Sequence, residues 1–243
     1  MPAPAQACAG DGRDWITDAI AALRREAARS ADTHLLHAGL PGLPGIDFYF
    51  KDEAAHPTGS LKHRLARSLF LYALCNGRLR EGQAVVDASS GSTAISEAWF
   101  ARLLGLSFTA VMPATTAPAK IEAVQALGGH CDLTGPDTCP QARAKEIAAR
   151  GACFLDQFGL AERATDWRGN NNIAESILEQ LEQEQHPEPA WIVCGAGTGG
   201  TSATTSPPSL STNCRSSSRV WSVNSGLWAE QTIRYRYSKY VSV

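Results

Sequence analysis

An α/β fold is predicted by two features of the chain. From residue 84 to residue 194, short apolar segments alternate with longer helical ones, and strands that take turns with helices pair in parallel through crossover connections. The composition, 44% hydrophobic and 19% charged over 243 residues, is that of a globular protein with room for one large α/β domain or two small ones.

The elements follow in order. Trp15, Ile16, Ala19, Ile20 and Leu23 recur at helical spacing, which predicts an amphipathic helix from Trp15 to Ser30. Asp47 to Lys51 is short and aromatic, lies between Pro44-Gly45 and Pro57, and reads as a strand. A helix fits Ser60 to Asn76, with Ser60 as N-cap and Gly77 just past its end. The alternation then predicts strands at Ala84–Val86, Phe108–Met112, around Cys131, at Cys153–Leu155 and at Trp191–Cys194. Helices fall between them at Thr93–Leu104, Ala119–Leu127, Gln141–Ala149 and Ile173–Gln183.

A net charge of −2 with dispersed basic residues lacks the basic stripe that nucleic acid or anionic lipid requires, so neither is an expected partner. No apolar run approaches the roughly 20 residues of a membrane span, and the N-terminus lacks a basic region followed by an apolar one, which gives a cytoplasmic expectation. The seven cysteines form no Cys-x-x-Cys pair and read as reduced core residues. His34 and His37 could share a helix face, but with no third ligand at useful spacing they read as surface histidines, and no metal is expected.

Chemistry concentrates in three stretches. In His56-Pro57-Thr58-Gly59-Ser60-Leu61-Lys62-His63-Arg64, a lysine in the first turn of a helix is oddly placed, because the helix dipole disfavours a cation there. Desolvation would favour its neutral amine, which forms Schiff bases with carbonyl groups. Gly195-Ala196-Gly197-Thr198-Gly199-Gly200-Thr201 follows the apolar strand at Trp191, and its amides and hydroxyls suit a phosphate. It has neither the Walker lysine nor the Gly-x-Gly-x-x-Gly pattern of a nucleotide site. Ser89-Ser90-Gly91-Ser92-Thr93 lies between a strand and a helix, where exposed amides bind carboxylates well.

Together these stretches resemble the cysteine synthase and cystathionine β-synthase family, the fold-type II pyridoxal-phosphate enzymes, over roughly residues 45 to 203. That resemblance implies two three-layer parallel α/β domains. Residues 1–50 would belong to the larger domain, 51–160 would form the smaller one, and 161–203 would resume the larger. It implies Lys62 as the Schiff-base lysine and sole catalytic residue assigned. Gly197, Thr198, Gly199, Gly200 and Thr201 would form the cofactor's phosphate cup, and Ser92 would take the place of the asparagine that faces the cofactor's 3′ oxygen. Ser89, Ser90, Gly91 and Thr93 would clasp the substrate carboxylate, with Gln157 of Asp156-Gln157-Phe158 as a further contact. His63 departs from the family, where aspartate is common.

The implied chemistry is elimination or replacement at the β-carbon of cysteine or O-acetylserine through an aminoacrylate, in a homodimer. The Ser-Ser-Gly-Ser-Thr loop and the run Trp167-Arg168-Gly169-Asn170-Asn171-Asn172 are more similar to a branch that includes cysteine desulfhydrases. Beyond Thr201 the composition changes, with eleven serines and five basic residues against the single acid Glu230. Pro207 and Pro208 stop the helix that would face the phosphate. Residues 204–243 therefore read as an aberrant tail that leaves the larger domain incomplete, from truncation or a shifted reading frame. The alternative to an enzyme is an inactive fragment of one, and the apolar strand at Trp191 is expected to lie uncovered.

Overall fold

The computed structural model describes residues 12–30, 32–42, 45–166, 173–195 and 219–223. Helix α1 (Gly12–Ser30) leads into an antiparallel pair, β1 (Leu35–Ala38) with β2 (Phe48–Lys51), in the register Leu35↔Lys51 to Ala38↔Phe48. After a 3-10 turn at Glu53–Ala55 come α2 (Lys62–Cys75), β3 (Val85–Ala88), α3 (Ser92–Leu103), β4 (Phe108–Pro113) and α4 (Pro118–Ala126). The series continues with β5 (His130–Thr134), α5 (Pro140–Ala148), β6 (Cys153–Phe154), α6 (Gln157–Asp166), α7 (Ile173–Leu181), β7 (Trp191–Gly195) and β8 (Arg219–Val223).

The central sheet has the order β5-β4-β3-β6 and is parallel throughout, as the alternation predicts. Its middle strand β3, Val85-Val86-Asp87-Ala88, is buried at every position, which is what two covered faces demand. Helix α2 is buried at eleven positions and packs on α1, α3 and α6. Its Phe70 and the Phe100 of α3 are 0% exposed and meet at 6.1 Å between ring centroids. Each such ring stabilises the fold by about 2–3 kcal/mol. The helix stops as its sequence predicts. Gly77 adopts φ 67°, its N–H donates to Leu74 O at 3.1 Å and that of Arg78 to Ala73 O at 2.8 Å, a paired arrangement that occupies the last free carbonyls.

Several expectations are corrected. The β1–β2 pair is antiparallel and β1 itself goes unread in the sequence, so His37 lies on a strand rather than on a helix shared with His34. Helix α6 is also unread. Asp156, at φ 56°, accepts the Gly159 N–H and opens that helix with a side-chain turn that hides its start. Of the five described cysteines, Cys75 and Cys139 are exposed and only Cys153 is buried, so core burial does not hold for the set. The strand at Trp191 is not wholly uncovered. Arg219–Val223 of the tail pairs with it in parallel from Trp191↔Arg219 to Gly195↔Val223, although Trp191 and Val193 remain 47% and 67% exposed. No described helix is long and apolar enough to cross a membrane.

An ion cluster joins these pieces. The Arg64 guanidinium donates to Glu53 through Nε at 2.7 Å and Nη2 at 3.0 Å, and Nη2 also reaches Asp32 Oδ1 at 2.9 Å and Thr33 Oγ1 at 3.1 Å. Lys51 Nζ donates to Thr33 O and to Gln180 Oε1, both at 2.7 Å, while Ser176 of α7 donates to Asp32. Burial opposes ionisation of both acids. For Glu53 the hydrogen bonds from His56 and Arg64 outweigh it, and for Asp32 those from Ser176 and Arg64, holding each carboxyl at about 2.

A depressed carboxyl stabilises the fold above its unfolded pKa of ~4, and that contribution is lost as pH falls through the folded value. Arg64→Met should therefore cost about 3 kcal/mol at pH 7, the usual scale for stripping one partner from a buried pair. The cost should shrink toward pH 3 as the stranded acids protonate. Urea unfolding of both chains at the two pH values checks this, and a penalty that does not change with pH would contradict it.

Candidate active site

The lysine stretch folds as its residues dictate. His56-Pro57-Thr58-Gly59 forms a turn closed by the Gly59 N–H to His56 O at 2.8 Å, and Gly59 takes φ 71°, where a side chain would be strained. Leu61, rather than Ser60, is the residue that precedes α2, yet Ser60 Oγ still accepts the Lys62 N–H at 3.3 Å. Lys62 is thus the first residue of α2, as expected. Its side chain is half-buried, no hydrogen bond or ion pair is formed by its amine among the described residues, and burial lowers its pKa. A carboxylate partner would have fixed the charge. With none among the described residues, burial alone acts on the amine and favours its neutral, nucleophilic form relative to an exposed lysine.

The neighbours of Lys62 anchor it. Arg64 points into the ion cluster described above, and His63, 0% exposed, lies between Glu26 of α1 and Thr58 of the turn. Thr58 Oγ1 in turn meets Ser96 Oγ of α3 at 2.8 Å, tying the lysine stretch to the helix that follows the serine loop.

That loop leaves the end of β3. Ser89 Oγ accepts the Ala94 N–H at 3.2 Å and the Gly91 N–H at 3.5 Å, bending the chain into α3. Gly91 precedes the helix in an extended conformation and has no side chain to cap it, so Ser89 Oγ takes the Ala94 N–H and leaves the two amides before it. The first-turn amides of Ser92 and Thr93 therefore keep the partial positive charge that attracts an anion. Ser90 is exposed, Gly91 and Ser92 are half-buried, and Ser89 and Thr93 are buried. Gln157, the further carboxylate contact expected from the sequence, lies under this loop. It is 4% exposed, and its Nε2 donates to Ala88 O at 2.9 Å from beneath the loop.

Beneath the loop also lies a feature that the sequence reading missed. Asp87 and Glu97 are both fully buried, on β3 and α3. Asp87 accepts from the backbone N–H of Ala88 at 2.8 Å and of Gln157 at 3.2 Å. Among the described residues no N–H or O–H reaches the oxygens of Glu97, which face the Asp87 carboxyl. Two acids can hydrogen-bond only if one keeps its proton. Burial raises the pKa of both, and the Asp87 charge raises Glu97 further, so Glu97 is the neutral donor. Glu97 sits on the apolar side of a helix pattern, which is the signal that could have revealed it.

The residues Gly197, Thr198, Gly199, Gly200 and Thr201 lie outside the described residues, as does the run Trp167 to Asn172. Of the expected site, the structure thus supplies Lys62 and Ser89 to Thr93, joined through Thr58 and Ser96. No cluster suited to a metal occurs among the described residues. The Lys62 amine, without a partner among the described residues, and the first-turn amides of Ser92 and Thr93 fit an aldehyde-bearing, anionic cofactor and its amino-acid substrate.

Residues 30–212 match a family model described as pyridoxal-phosphate dependent enzyme. An L-cysteine desulfhydrase of Mycobacterium tuberculosis is 58% identical over 197 residues, covering 79% of this chain and 54% of that protein. A cysteine synthase of Aquifex aeolicus is 37% identical over 91 residues, covering 37% of this chain and 28% of that protein. Among solved structures, an O-ureido-L-serine synthase matches with a TM-score of 0.63 at 27% identity, over 71% of this chain and 54% of the other. In fold, the chain is also similar to a hydrogen sulfide-producing enzyme of Fusobacterium nucleatum, with a TM-score of 0.67 at 21% identity over 78% and 57% of the two chains. The chain spans about half the length of the first curated relatives it matches, at 54% and 46%.

A buried acid with a raised pKa supports folding at pH values below its unfolded ~4 and loses that support as pH rises through its folded value. Glu97→Gln keeps a donor facing Asp87 without a proton to lose. Its unfolding free energy should stay within about 1 kcal/mol of the parent at pH 7, and its decline as pH rises from about 5 should be the shallower. Equal slopes for both chains would show that Glu97 is not the titrating member.

Proposed function

Because this chain belongs to the pyridoxal-phosphate dependent enzymes, we propose that it serves elimination or replacement at the β-carbon of cysteine or O-acetylserine, with cysteine breakdown as the preferred reaction. The observation that carries the reading is Lys62, a half-buried amine with no partner among the described residues, at the first turn of a helix tied through Thr58 and Ser96 to the helix that follows the serine loop. The 58% identity to a cysteine desulfhydrase supports the choice of substrate and reaction.

When bound, pyridoxal phosphate supplies the electron sink that lets a proton leave the substrate's α-carbon. Lys62 would hold the cofactor through its amine and, once displaced by the substrate amine, would accept the α-proton at Nζ. Burial keeps that atom deprotonated at a lower pH than an exposed lysine allows. The amides of Ser92 and Thr93, with the hydroxyl of Ser90, would bind the substrate carboxylate and fix the α-carbon beside Nζ. Ser92 would also take the place of the family's asparagine toward the cofactor's 3′ oxygen, its shorter side chain needing a water to reach as far. The glycine stretch Gly197 to Thr201 would hold the phosphate. Gln157, which holds the loop through Ala88 O, would be a further contact of the carboxylate. Departure of the β-substituent of cysteine releases hydrosulfide, and hydrolysis then yields pyruvate and ammonia.

Incubated with pyridoxal phosphate at pH 8 and reduced with borohydride, the chain should carry the cofactor at Lys62 ahead of exposed lysines such as Lys120, and Lys62→Ala should not carry it. Equal labelling of Lys120 and Lys62 would remove the assignment. Supplied with cysteine, the enzyme should release sulfide and pyruvate faster than it makes cysteine from O-acetylserine and sulfide. The opposite order would reassign the reaction to synthesis and leave the cofactor reading intact.

A further inference from the structure

We propose that His63 is a positioning residue whose ring, its tautomer set by Glu26, orients the Thr58 and Ser96 hydroxyls and so holds the lysine stretch against the first turn of α3. Its functional meaning rests on the reading of Lys62 and the Ser89–Thr93 loop given above.

Four contacts run in a line. His63 Nε2 lies 3.0 Å from Glu26 Oε1, His63 Nδ1 3.1 Å from Thr58 Oγ1, Thr58 Oγ1 2.8 Å from Ser96 Oγ, and Ser96 Oγ 3.0 Å from Ser92 O. A neutral imidazole and two hydroxyls bring three hydrogens to these four contacts, so one contact must go without. Glu26 accepts only, so Nε2 carries the hydrogen, Nδ1 is left as an acceptor and Thr58 donates to it. The single Ser96 hydrogen then has two acceptors, Thr58 Oγ1 at 2.8 Å and Ser92 O at 3.0 Å, and the shorter contact keeps it because two oxygens that close need a hydrogen between them. Protonating His63 supplies the missing hydrogen. Nδ1 then donates to Thr58, Thr58 donates to Ser96, and Ser96 donates to Ser92 O, so both hydroxyls reverse.

The charges around the ring decide which state holds at neutral pH. From α1, Glu26 faces it. From α2, Arg67 Nη1 lies 3.3 Å from Glu26 Oε2 and already offsets that carboxylate. From the turn, His56 stacks on the ring at 5.2 Å and itself contacts Glu53, which Arg64 holds. From α3, Trp99 and Phe100 present rings and no charge. Burial is the largest influence and lowers the pKa, the bond and charge of Glu26 raise it, and His56 and Arg67 lower it, with a net fall. The neutral state therefore holds at neutral pH, and the reversal comes on the acid side of the ordinary ~6.5.

The test uses the 243-residue chain without added cofactor, labelled with nitrogen-15, and follows the histidine rings and the backbone amides by NMR from pH 8 to pH 5. His63 should appear as the Nε2–H tautomer at pH 7.5. It should titrate with a midpoint below ~6.5, and the amide signals of Ser92 to Ser96 should move with that same midpoint. In Thr58→Val, His63 should still titrate while the Ser92 to Ser96 signals no longer follow it, and Thr58→Ser should restore the coupling. An Nδ1–H tautomer, or α3 signals that ignore His63 in the parent or follow it unchanged in Thr58→Val, would overturn the inference. None of these readouts involves the cofactor. Failure of borohydride capture at Lys62 would therefore count against the proposed function alone, and loss of the NMR coupling with capture retained would count against His63 alone.

Discussion

Arg64 is the point at which the fold and the candidate site become one problem. Its guanidinium is shared between Glu53, on the 3-10 turn, and Asp32, at the end of the segment from α1. An arginine fork can satisfy two acids at once only when both are held in its plane, so the geometry of one fixes the other. The residue sits two positions after Lys62 on the same helix. Whatever fixes the guanidinium therefore fixes the direction in which the first turn of α2 points. Lys51, Ser176 and Gln180 complete the arrangement from β2 and α7, so elements distant in sequence converge on one charged group.

The lysine and the carboxylate loop are mounted differently. Lys62 is held from below by an ionic cluster and a buried histidine, both anchored outside the parallel sheet. The loop is held by that sheet itself, through Ser89 at the end of β3 and through the paired acids beneath it. Thr58 to Ser96 is a direct polar link between the two mounts. Polar groups buried under a reactive loop cost desolvation, and that cost is offset only where every hydrogen finds a partner. At the Asp87 and Glu97 pair, the proton that burial keeps on Glu97 is the hydrogen that can meet this condition.

Much of this was legible in the residues. Alternation gave the parallel sheet because the βαβ unit writes its period directly into the sequence, and Gly77 marked the end of α2 because few residues accept its backbone angle. The lysine and serine stretches stood out because a turn and a helix start need small residues at fixed places. What escaped was decided by tertiary contact. Strand β1 has four residues and little pattern, and it exists because β2 pairs with it. Gln157 carries no mark in its neighbours that its amide turns inward to Ala88 O. The partnership of Asp87 with Glu97 joins residues on different elements, and one sequence offers no way to see that two acids face each other. His63 stood out only as a departure, and its meaning depends on Glu26, thirty-seven positions earlier.

The amide of Gln180 donates to Thr33 O across 147 positions of the chain. During synthesis at roughly 5–20 residues per second, about 7–30 s would pass between the emergence of the acceptor and that of its donor. Through that interval Asp32 and Lys51 have Arg64 and one another for company, but neither has α7. The nascent chain can thus complete the inner half of its charged cluster early and must carry the outer half open to water until the last helix before β7 arrives. A ribosome that pauses within this window, or a chaperone that shelters it, would act on the segment that orients the lysine before the glycine stretch has been made.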